Sequence, residues 1–419
     1  MLVKQAPHSS LPYRLLLFLI SPLLAFISSV KHMHKREHFW IVLSFALFFC
    51  YTYIPIPNSD ATRYEERFGS IQEYNFSTYV KDVKNMYDDT SFYQDAYIYT
   101  IQFLVSPFTT DVRIYRIILG FIYFYTFLSL IKHLLINNER KTKKFNWFII
   151  GIVFLISFTA GINGIRWPLA LMVFLLGSYS YITTSKSKFI LLAILSPLIH
   201  FICFYLVAFL LIYVLTKRFY NPKIISIIVL IFFFISSILA STVQSNIGLV
   251  GEKVQEKSSA YIESDSWKEK RVEGYNKLNW YVQIQRTAPN IFVMLALFIT
   301  TYFGYKLKKS TITIALEYFA FIFFMASSLS AQLLVATDNR FTLVSTAVGL
   351  FYLYHLYNEN SDNKLLNLLK NSYIPIAVLT LLVNIWTDLQ TISPNLILGN
   401  LITEMIFTYN DGIRSLIGF

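Results

Sequence analysis

The stretch GINGIRWPLALMVF, residues 161–174, places one arginine between two long apolar runs. The runs cover 147–162 and 167–184, and both are about long enough to cross roughly 30 Å of hydrocarbon as a helix. Arg166 stands at the break between them, flanked by glycine and proline. A charge at the edge of a membrane span is costly unless it has a function or a partner. The stretch therefore predicts two membrane helices joined at a functional break.

The same apolar pattern repeats along the chain. Of 419 residues, 55% are hydrophobic and 14% are charged, and the mean hydropathy is +0.51. This composition excludes a soluble domain of ordinary type. We predict an all-α integral membrane protein, one polytopic membrane domain over 1–419 with about 11–12 transmembrane helices. The predicted spans are 12–30, 39–57, 114–136, 147–162, 167–184, 189–215, 223–244, 288–305, 312–331, 341–357 and 373–389.

Lysine and arginine are concentrated in the short connections between these spans, which predicts that the short connections face the cytoplasm. The two long connections, 58–110 and 245–287, then form extracytoplasmic loops with short interfacial helices. This alternation requires 97–110 to be interfacial or re-entrant rather than a span. It also requires 189–215 to turn back near 196–200, where Pro197 supplies the break.

Several other classes of protein are excluded or disfavoured. The net charge of +12 follows from the cytoplasmic connections, and no basic stripe typical of nucleic-acid binding is present. Cys50 and Cys203 lie in apolar runs without metal-ligand spacing, so neither a disulfide framework nor a zinc site is expected. The first run, 12–30, is too long for the core of a signal peptide, and we interpret it as a retained span.

The first extracytoplasmic loop begins with NSDATRYEERF, residues 58–68. A helix with Asp60 as its N-cap places Arg63 and Arg67 on one face, with Tyr64 beside them. Such a face suits contacts with sugar and phosphate. Ordinary ion pairs on a wet interfacial helix explain the same residues.

Two further basic residues fall at or just below the outer surface in this topology. His200, in SPLIHFICF, lies deep in an apolar stretch, where an imidazole serves as a general base, as a hydrogen-bond donor, or merely in an interhelical hydrogen bond. Arg340 follows a polar break, Asp338-Asn339, at the start of another span. Asp338 is a candidate partner that would neutralise Arg340. For Arg166 the alternative to a functional role is that its side chain extends to the membrane interface, where the charge is solvated.

The second extracytoplasmic loop contains SWKEKRVEGYNKLNWYVQIQR. Basic and aromatic residues alternate in this loop, among them Arg271 and Trp280. The basic residues suit anionic headgroups, and the aromatic residues suit stacking on sugar rings. An aromatic belt at the membrane interface accounts equally well for the aromatic residues.

These motifs resemble those of the Wzy/EpsG-like polysaccharide polymerases of bacterial envelopes. The matching elements extend across about two-thirds of the chain and share spacing more than identity. They read DATRY at 60–64, GIRWPLALMVF at 164–174, SPLIH at 196–200 and DNR at 338–340.

The resemblance implies an enzyme at the outer face of the bacterial inner membrane. It would transfer a growing glycan from undecaprenyl diphosphate onto the next undecaprenyl-diphosphate-linked oligosaccharide repeat. It also implies a fold related to the lipid-dependent GT-C glycosyltransferases, the lipid bilayer as environment, and a chain-length regulator as a partner. No cofactor or nucleic acid is expected. We expect arginines in place of a metal ion, with a metal shared by Asp60 and Asp338 as the alternative.

Glycosyl transfer from a lipid diphosphate requires stabilisation of the leaving diphosphate and activation of an acceptor hydroxyl. We assign the first role to Arg166 and Arg340 and the second to His200, with Asp60 as the rival base. The predicted substrate-binding residues are Arg63, Tyr64, Asn163, Asp338, Asn339, Arg271 and Trp280.

Two other functions remain open at this point. An O-antigen ligase would carry the same outer arginines and histidine. A flippase or transporter of lipid-linked oligosaccharides usually carries charges near the midplane and repeated halves. Here the charges gather on one face, and no halves match.

Overall fold

The computed structural model describes residues 11–71, 75–85, 96–136, 146–246, 273–304, 306–333, 338–407 and 411–416. Over these residues the secondary structure is helical, without strands, which confirms the predicted all-α membrane class. Six helices in the described part are long and apolar enough to cross a bilayer. They are Val112–Ile136, Arg166–Thr184, Pro222–Leu239, Trp280–Tyr302, Thr311–Ala331 and Lys364–Asp388.

The helices before the second long connection are numbered in chain order. They are α1 Leu11–Ile20, α2 Pro22–Val30, α3 Arg36–Thr52, α4 Asp60–Ser70, α5 Phe76–Lys84, α6 Ala96–Val105, α7 Val112–Ile136, α8 Trp147–Val153, α9 Phe158–Asn163, α10 Arg166–Thr184, α11 Lys188–Ile194, α12 Ser196–Ile199, α13 Cys203–Thr216 and α14 Pro222–Asn246.

The helices after that connection are α15 Trp280–Tyr302, α16 Thr311–Leu333, α17 Asp338–Glu359, α18 Lys364–Asp388, α19 Pro394–Leu398, α20 Leu401–Ile406 and α21 Ile413–Leu416. Long helices pack side by side in pairs, notably α3 with α7, α7 with α10, α14 with α16, α16 with α17, and α15 with both α17 and α18.

The bundle has two ends. The upper end carries the starts of α7, α10, α15 and α17, and there the backbone N–H of Ile54, after α3, donates to the Thr391 carbonyl, after α18 (3.0 Å). The lower end carries the starts of α8, α16 and α18. There Lys217 Nζ donates to the Tyr181 hydroxyl (2.7 Å), and the backbone N–H of Ser310 donates to Glu359 (3.0 Å).

The helix α10 lies at the centre of the bundle. In the most apolar segment of α10, 78% of the residues are buried inside the protein, compared with 22% in the corresponding segment of α15. Gly177 permits α11 to approach α10 closely, because a Cβ there would lie 2.6 Å from the backbone nitrogen of Ala193. The helix α10, whose first residue is Arg166, is therefore held by packing along its length.

Two predicted spans are interrupted, and treating them as continuous helices was wrong. The first, 12–30, breaks at Ser21, whose extended backbone and hydroxyl cap precede Pro22 at the start of α2. The second, 147–162, consists of α8 and α9 with a non-helical stretch at 154–157. A side chain of α18 supplies a hydrogen bond that the helix would otherwise make there, since the Asn384 amide donates to the Phe154 carbonyl. Membrane-depth backbone leaves the helix only where protein groups replace its hydrogen bonds.

Other helix boundaries also differ from prediction. The predicted span 288–305 starts eight residues late, since α15 begins at Trp280. The second long connection therefore ends before 280. The span 373–389 starts late in the same way, because α18 begins at Lys364. In both cases polar residues in the first turns lower the hydropathy without ending the helix.

The segments 97–110 and 189–215, which the predicted topology treats as exceptions, have the expected backbone structure. The helix α6 has ten residues, too short to cross a bilayer. The stretch 189–215 leaves the helical conformation at His200, whose backbone is extended, so that α11 and α12 form one limb and α13 the other. The predicted break near 196–200 is confirmed, but it falls at His200 and not at Pro197, which lies in the first turn of α12.

Candidate functional site

A cavity of about 260 Å³ opens at the upper end of the bundle. It lies where α9, the start of α10, the turn at His200 and the first turn of α17 meet. Five predicted site residues, drawn from positions 60 to 340, are brought together here. The lining residues are Asp60, Ala160, Asn163, Gly164, Arg166, Trp167, Pro168, His200 and Arg340.

Both arginines stand at helix N-termini. Arg166 is the first residue of α10, and Arg340 is the third residue of α17. The N-terminal end of a helix carries a partial positive charge and exposes backbone N–H groups. A guanidinium group there adds to the positive potential instead of offsetting it, so the cavity attracts anions. Arginine also binds phosphate in a two-pronged geometry.

His200 and Arg340 contact each other across the cavity. Nη1 of Arg340 lies 3.4 Å from Nε2 of His200, and the backbone N–H of Ile202 lies 3.3 Å from Nδ1. Arginine and backbone N–H groups only donate, so the doubly protonated imidazolium does not fit between them. The buried imidazole of His200 is therefore neutral, and because a neutral ring accepts at one nitrogen only, just one of these two contacts is a hydrogen bond in either tautomer.

Trp167 forms the aromatic wall of the cavity. Its ring lies 5.5 Å from the guanidinium carbon of Arg340, and it meets the His200 ring edge to face at 5.9 Å. A cation over an indole face is attracted by the ring quadrupole. Trp167 thus holds both groups in place and shields them from water on one side.

The first-loop helix α4 covers the cavity from the side. The Tyr64 ring lies 5.7 Å from the guanidinium carbon of Arg166, and Asn163 Oδ1 accepts from the backbone N–H of Ala61 (3.2 Å). Ser59, not Asp60 as predicted, is the N-cap of α4. Asp60 occupies the first turn instead and forms an ion pair with Arg63.

An ion pair of low exposure fixes α4 against the membrane helices. The Arg116 guanidinium on α7 donates from Nε and Nη2 to the Glu65 carboxylate (2.5 and 2.9 Å) and from Nη1 to the Tyr53 carbonyl (2.6 Å). The two side chains are only 12% and 14% exposed. These hydrogen bonds fix the position of α4 relative to α7 and to the end of α3.

A second carboxylate fixes the break before α10. Asp388, at the end of α18, accepts from the backbone N–H of Phe158 (3.1 Å) and from the Thr159 hydroxyl (2.5 Å). Asp388 is buried, and it lies 230 residues from Phe158 in the sequence. The start of α9, and through it Asn163 and Arg166, is thereby held by the far end of the chain.

Other predicted site residues lie apart from the cavity lining. The Arg63 side chain is 59% exposed in its pair with Asp60, and Trp280 is 70% exposed at the start of α15. Arg271 and the side chains of Asp338 and Asn339 lie outside the described residues. The backbone of Asp338 belongs to α17, so the predicted polar break is the first turn of that helix.

Sequence reasoning missed three residues that shape the site. Trp167 had a signal, because it follows Arg166 directly in the same motif. Arg116 and Asp388 had none, since their importance depends on partners distant in the sequence. Within the described residues, no group of three or more His, Cys, Asp or Glu side chains is placed to hold a metal ion. The cavity's charged donors are guanidinium groups, which suit an anion.

The fold and the cavity define a polytopic membrane protein with an anion-attracting site at one end of its helix bundle. The sequence model of the EpsG family matches residues 38–395, so the chain belongs to the EpsG family. This is a Wzy/EpsG-type polymerase family, and the function is of the polysaccharide-polymerase type. The matched range contains every residue that lines the cavity. Comparison with curated proteins and with solved structures gives no match.

We predict that Glu65→Gln destabilises the protein and lowers its activity, because it leaves Arg116 without its charged partner. Breaking a buried pair from one side costs about 3–5 kcal/mol, and at this exposure we expect about 3 kcal/mol. Equilibrium unfolding of the detergent-purified protein and polymer synthesis in cells measure the two effects. The matched control is Glu273→Gln, whose pair with Lys277 is 64–73% exposed and contributes about 0–1 kcal/mol. Equal effects of the two variants would contradict this assignment.

Proposed function

We propose that this protein is a polysaccharide polymerase that transfers a growing glycan from undecaprenyl diphosphate onto a lipid-linked oligosaccharide repeat. The transfer takes place at the outer face of the bacterial inner membrane. The observation that supports this most strongly is the convergence of Arg166, Arg340 and a neutral His200 on one cavity. These groups match the needs of a reaction with an anionic leaving group and a hydroxyl nucleophile.

The distribution of lysines supports the proposed orientation. The lower end of the bundle carries the short lysine-rich connections. Short loops rich in lysine and arginine stay on the cytoplasmic side of a membrane. The cavity lies at the upper end and would therefore face outward. The lower-end basic residues include Lys186, Lys188, Lys217, Arg218, Lys223, Lys306, Lys308 and Lys309.

The leaving diphosphate binds between the two arginines in this mechanism. The bond between the anomeric carbon and the diphosphate oxygen breaks, and the electron pair stays on the diphosphate. Arg166 and Arg340 stabilise the charge that develops there. The acceptor hydroxyl oxygen bonds to the anomeric carbon, and its proton passes to His200.

Contact between Arg340 and His200 couples substrate binding to base activation. In the structure, Nη1 of Arg340 lies 3.4 Å from Nε2 of His200. A diphosphate is a far stronger partner for a guanidinium than a neutral imidazole is. Binding of the diphosphate draws Arg340 toward phosphate, and in the tautomer that carries its proton on Nδ1 the Nε2 atom then accepts the proton of the acceptor hydroxyl. Asp60, the rival base, is already paired with Arg63.

A strain that lacks the gene tests this function through its surface glycan. Wild-type protein restores a ladder of chain lengths, whereas Arg166→Ala, Arg340→Ala and His200→Ala leave single repeats. Removing one stabilising donor of a transition-state charge lowers the rate by about 10²–10³. Gel electrophoresis of the glycan, at matched membrane abundance of each variant, measures the outcome.

Arg113→Ala is the matched control for that experiment. Arg113 lies at the same end of the bundle, is 39% exposed and pairs with Asp111, and does not line the cavity. The control retains the ladder. If the strain without the gene loses single repeats as well, the polymerase assignment is wrong and flipping or ligation explains the data better.

We further predict that His200→Ala lowers turnover far more than substrate affinity. A positioned general base contributes about 10²–10⁴ to the rate, while the diphosphate contacts belong to the arginines. Turnover of the reconstituted enzyme and its equilibrium affinity for the lipid-linked repeat give the two values. Arg340→Ala, by comparison, lowers both. Parallel losses of turnover and affinity in His200→Ala would show that His200 is a binding residue and not the base.

A further inference from the structure

A second and larger cavity, of about 370 Å³, lies at the upper end of the bundle. It is enclosed by α15, the first two turns of α17, the last turns of α18 and the non-helical stretch before α9. Its lining residues are Leu155, Ser157, Val282, Gln285, Arg286, Pro289, Thr342, Leu343, Thr346, Val383, Asn384 and Thr387. The volume falls in the range of small-ligand sites, about 300–1,000 Å³.

The two cavities share the same walls. Ala160 and Asn163 line the first cavity, and Ser157 of the same short segment lines the second. Arg340 lines the first, and Thr342, two residues later on α17, lines the second. Two residues of an α-helix differ by about 200° in direction. The start of α17 therefore stands between the cavities, with one on each side.

The second cavity differs from the first in its chemistry. Six of its lining side chains are hydroxyls or amides, and five are aliphatic or proline. Among its described lining residues Arg286 alone is charged. Hydroxyl and amide groups keep acceptor capacity even when their hydrogens are used within the protein, as the Thr387 hydroxyl does toward the Val383 carbonyl. Uncharged polar groups on apolar walls fit a sugar ring, which presents hydroxyls on an apolar skeleton, better than they fit a diphosphate.

We infer that the second cavity is a carbohydrate subsite that holds sugar residues of the lipid-linked repeat. The inference rests on the proposed function, since it divides one substrate between two places. The arginine-lined cavity takes the diphosphate, and the hydroxyl- and amide-lined cavity takes the glycan. Arg286, at its exposed rim, supplies further N–H donors to sugar oxygens.

Protection of single cysteines from a membrane-impermeant thiol reagent tests this division. Thr387→Cys reports on the second cavity and Ala160→Cys on the first; the former exchanges a hydroxyl and a methyl for one thiol, and the latter adds one sulfur atom. Thr287→Cys is the control, because it is exposed on α15 beside Arg286 and does not line the cavity. Wild-type protein gives the background, since Cys50 and Cys203 are buried.

Two probes distinguish glycan from headgroup: the lipid-linked repeat extracted from a strain lacking the gene, and undecaprenyl diphosphate without sugar. At about ten times its dissociation constant, each probe slows labelling about tenfold wherever it covers the cysteine. We expect the repeat to protect both 387 and 160, and the sugar-free lipid to protect 160 alone. Position 287 stays unprotected by either.

The contrary outcomes separate the two proposals. Protection of 387 by sugar-free lipid, as strong as by the repeat, would overturn the carbohydrate subsite and assign this cavity to the headgroup. Protection by the repeat at 160 but not at 387 would also overturn it while leaving the proposed function intact. If the repeat protects neither position, both the subsite and the proposed function are wrong.

Discussion

The structure depends on placing two guanidinium groups at the positive ends of two helices in a bundle built for a bilayer. Arg166 and Arg340 open α10 and α17, where the helix dipole adds to their charge. Such an arrangement concentrates positive charge at one end of the bundle, where the binding of an anion is favoured. The cavity between them is also lined by the imidazole of His200, the indole of Trp167 and the carboxylate of Asp60, and we propose that it binds an anion.

Holding this arrangement requires contacts from most of the chain. The Arg116 and Glu65 pair fixes α4 beside the cavity, and Asp388 at the end of α18 fixes the start of α9. A buried ion pair such as that of Arg116 and Glu65 adds little net stability compared with apolar packing, but it specifies one geometry, and the hydrogen bonds to Asp388 do the same for the start of α9. In this protein that geometry is the position of the first-loop helix and of the break before α10. Removing either contact would loosen the site before it unfolded the bundle.

Much of the fold and part of the site follow from local sequence. Apolar runs with lysine-rich connections predict the membrane class, and a charge at the start of a span identifies Arg166 and Arg340 without any knowledge of tertiary structure. His200 is predicted on a different ground, as an imidazole deep in an apolar stretch. The break at 154–157 was missed because its cause, Asn384, lies 230 residues away. The expected relation to GT-C glycosyltransferases and the chain-length regulator as partner stay predictions.

Reconstitution of the purified protein with one substrate tests the central claim most directly. Proteoliposomes that contain the protein and the lipid-linked repeat as sole substrate should form products at successive integer multiples of the repeat. Each new linkage should release one undecaprenyl diphosphate, because the diphosphate is the leaving group. A repeat that crosses the bilayer yet remains a single unit, with no undecaprenyl diphosphate released, would contradict the account.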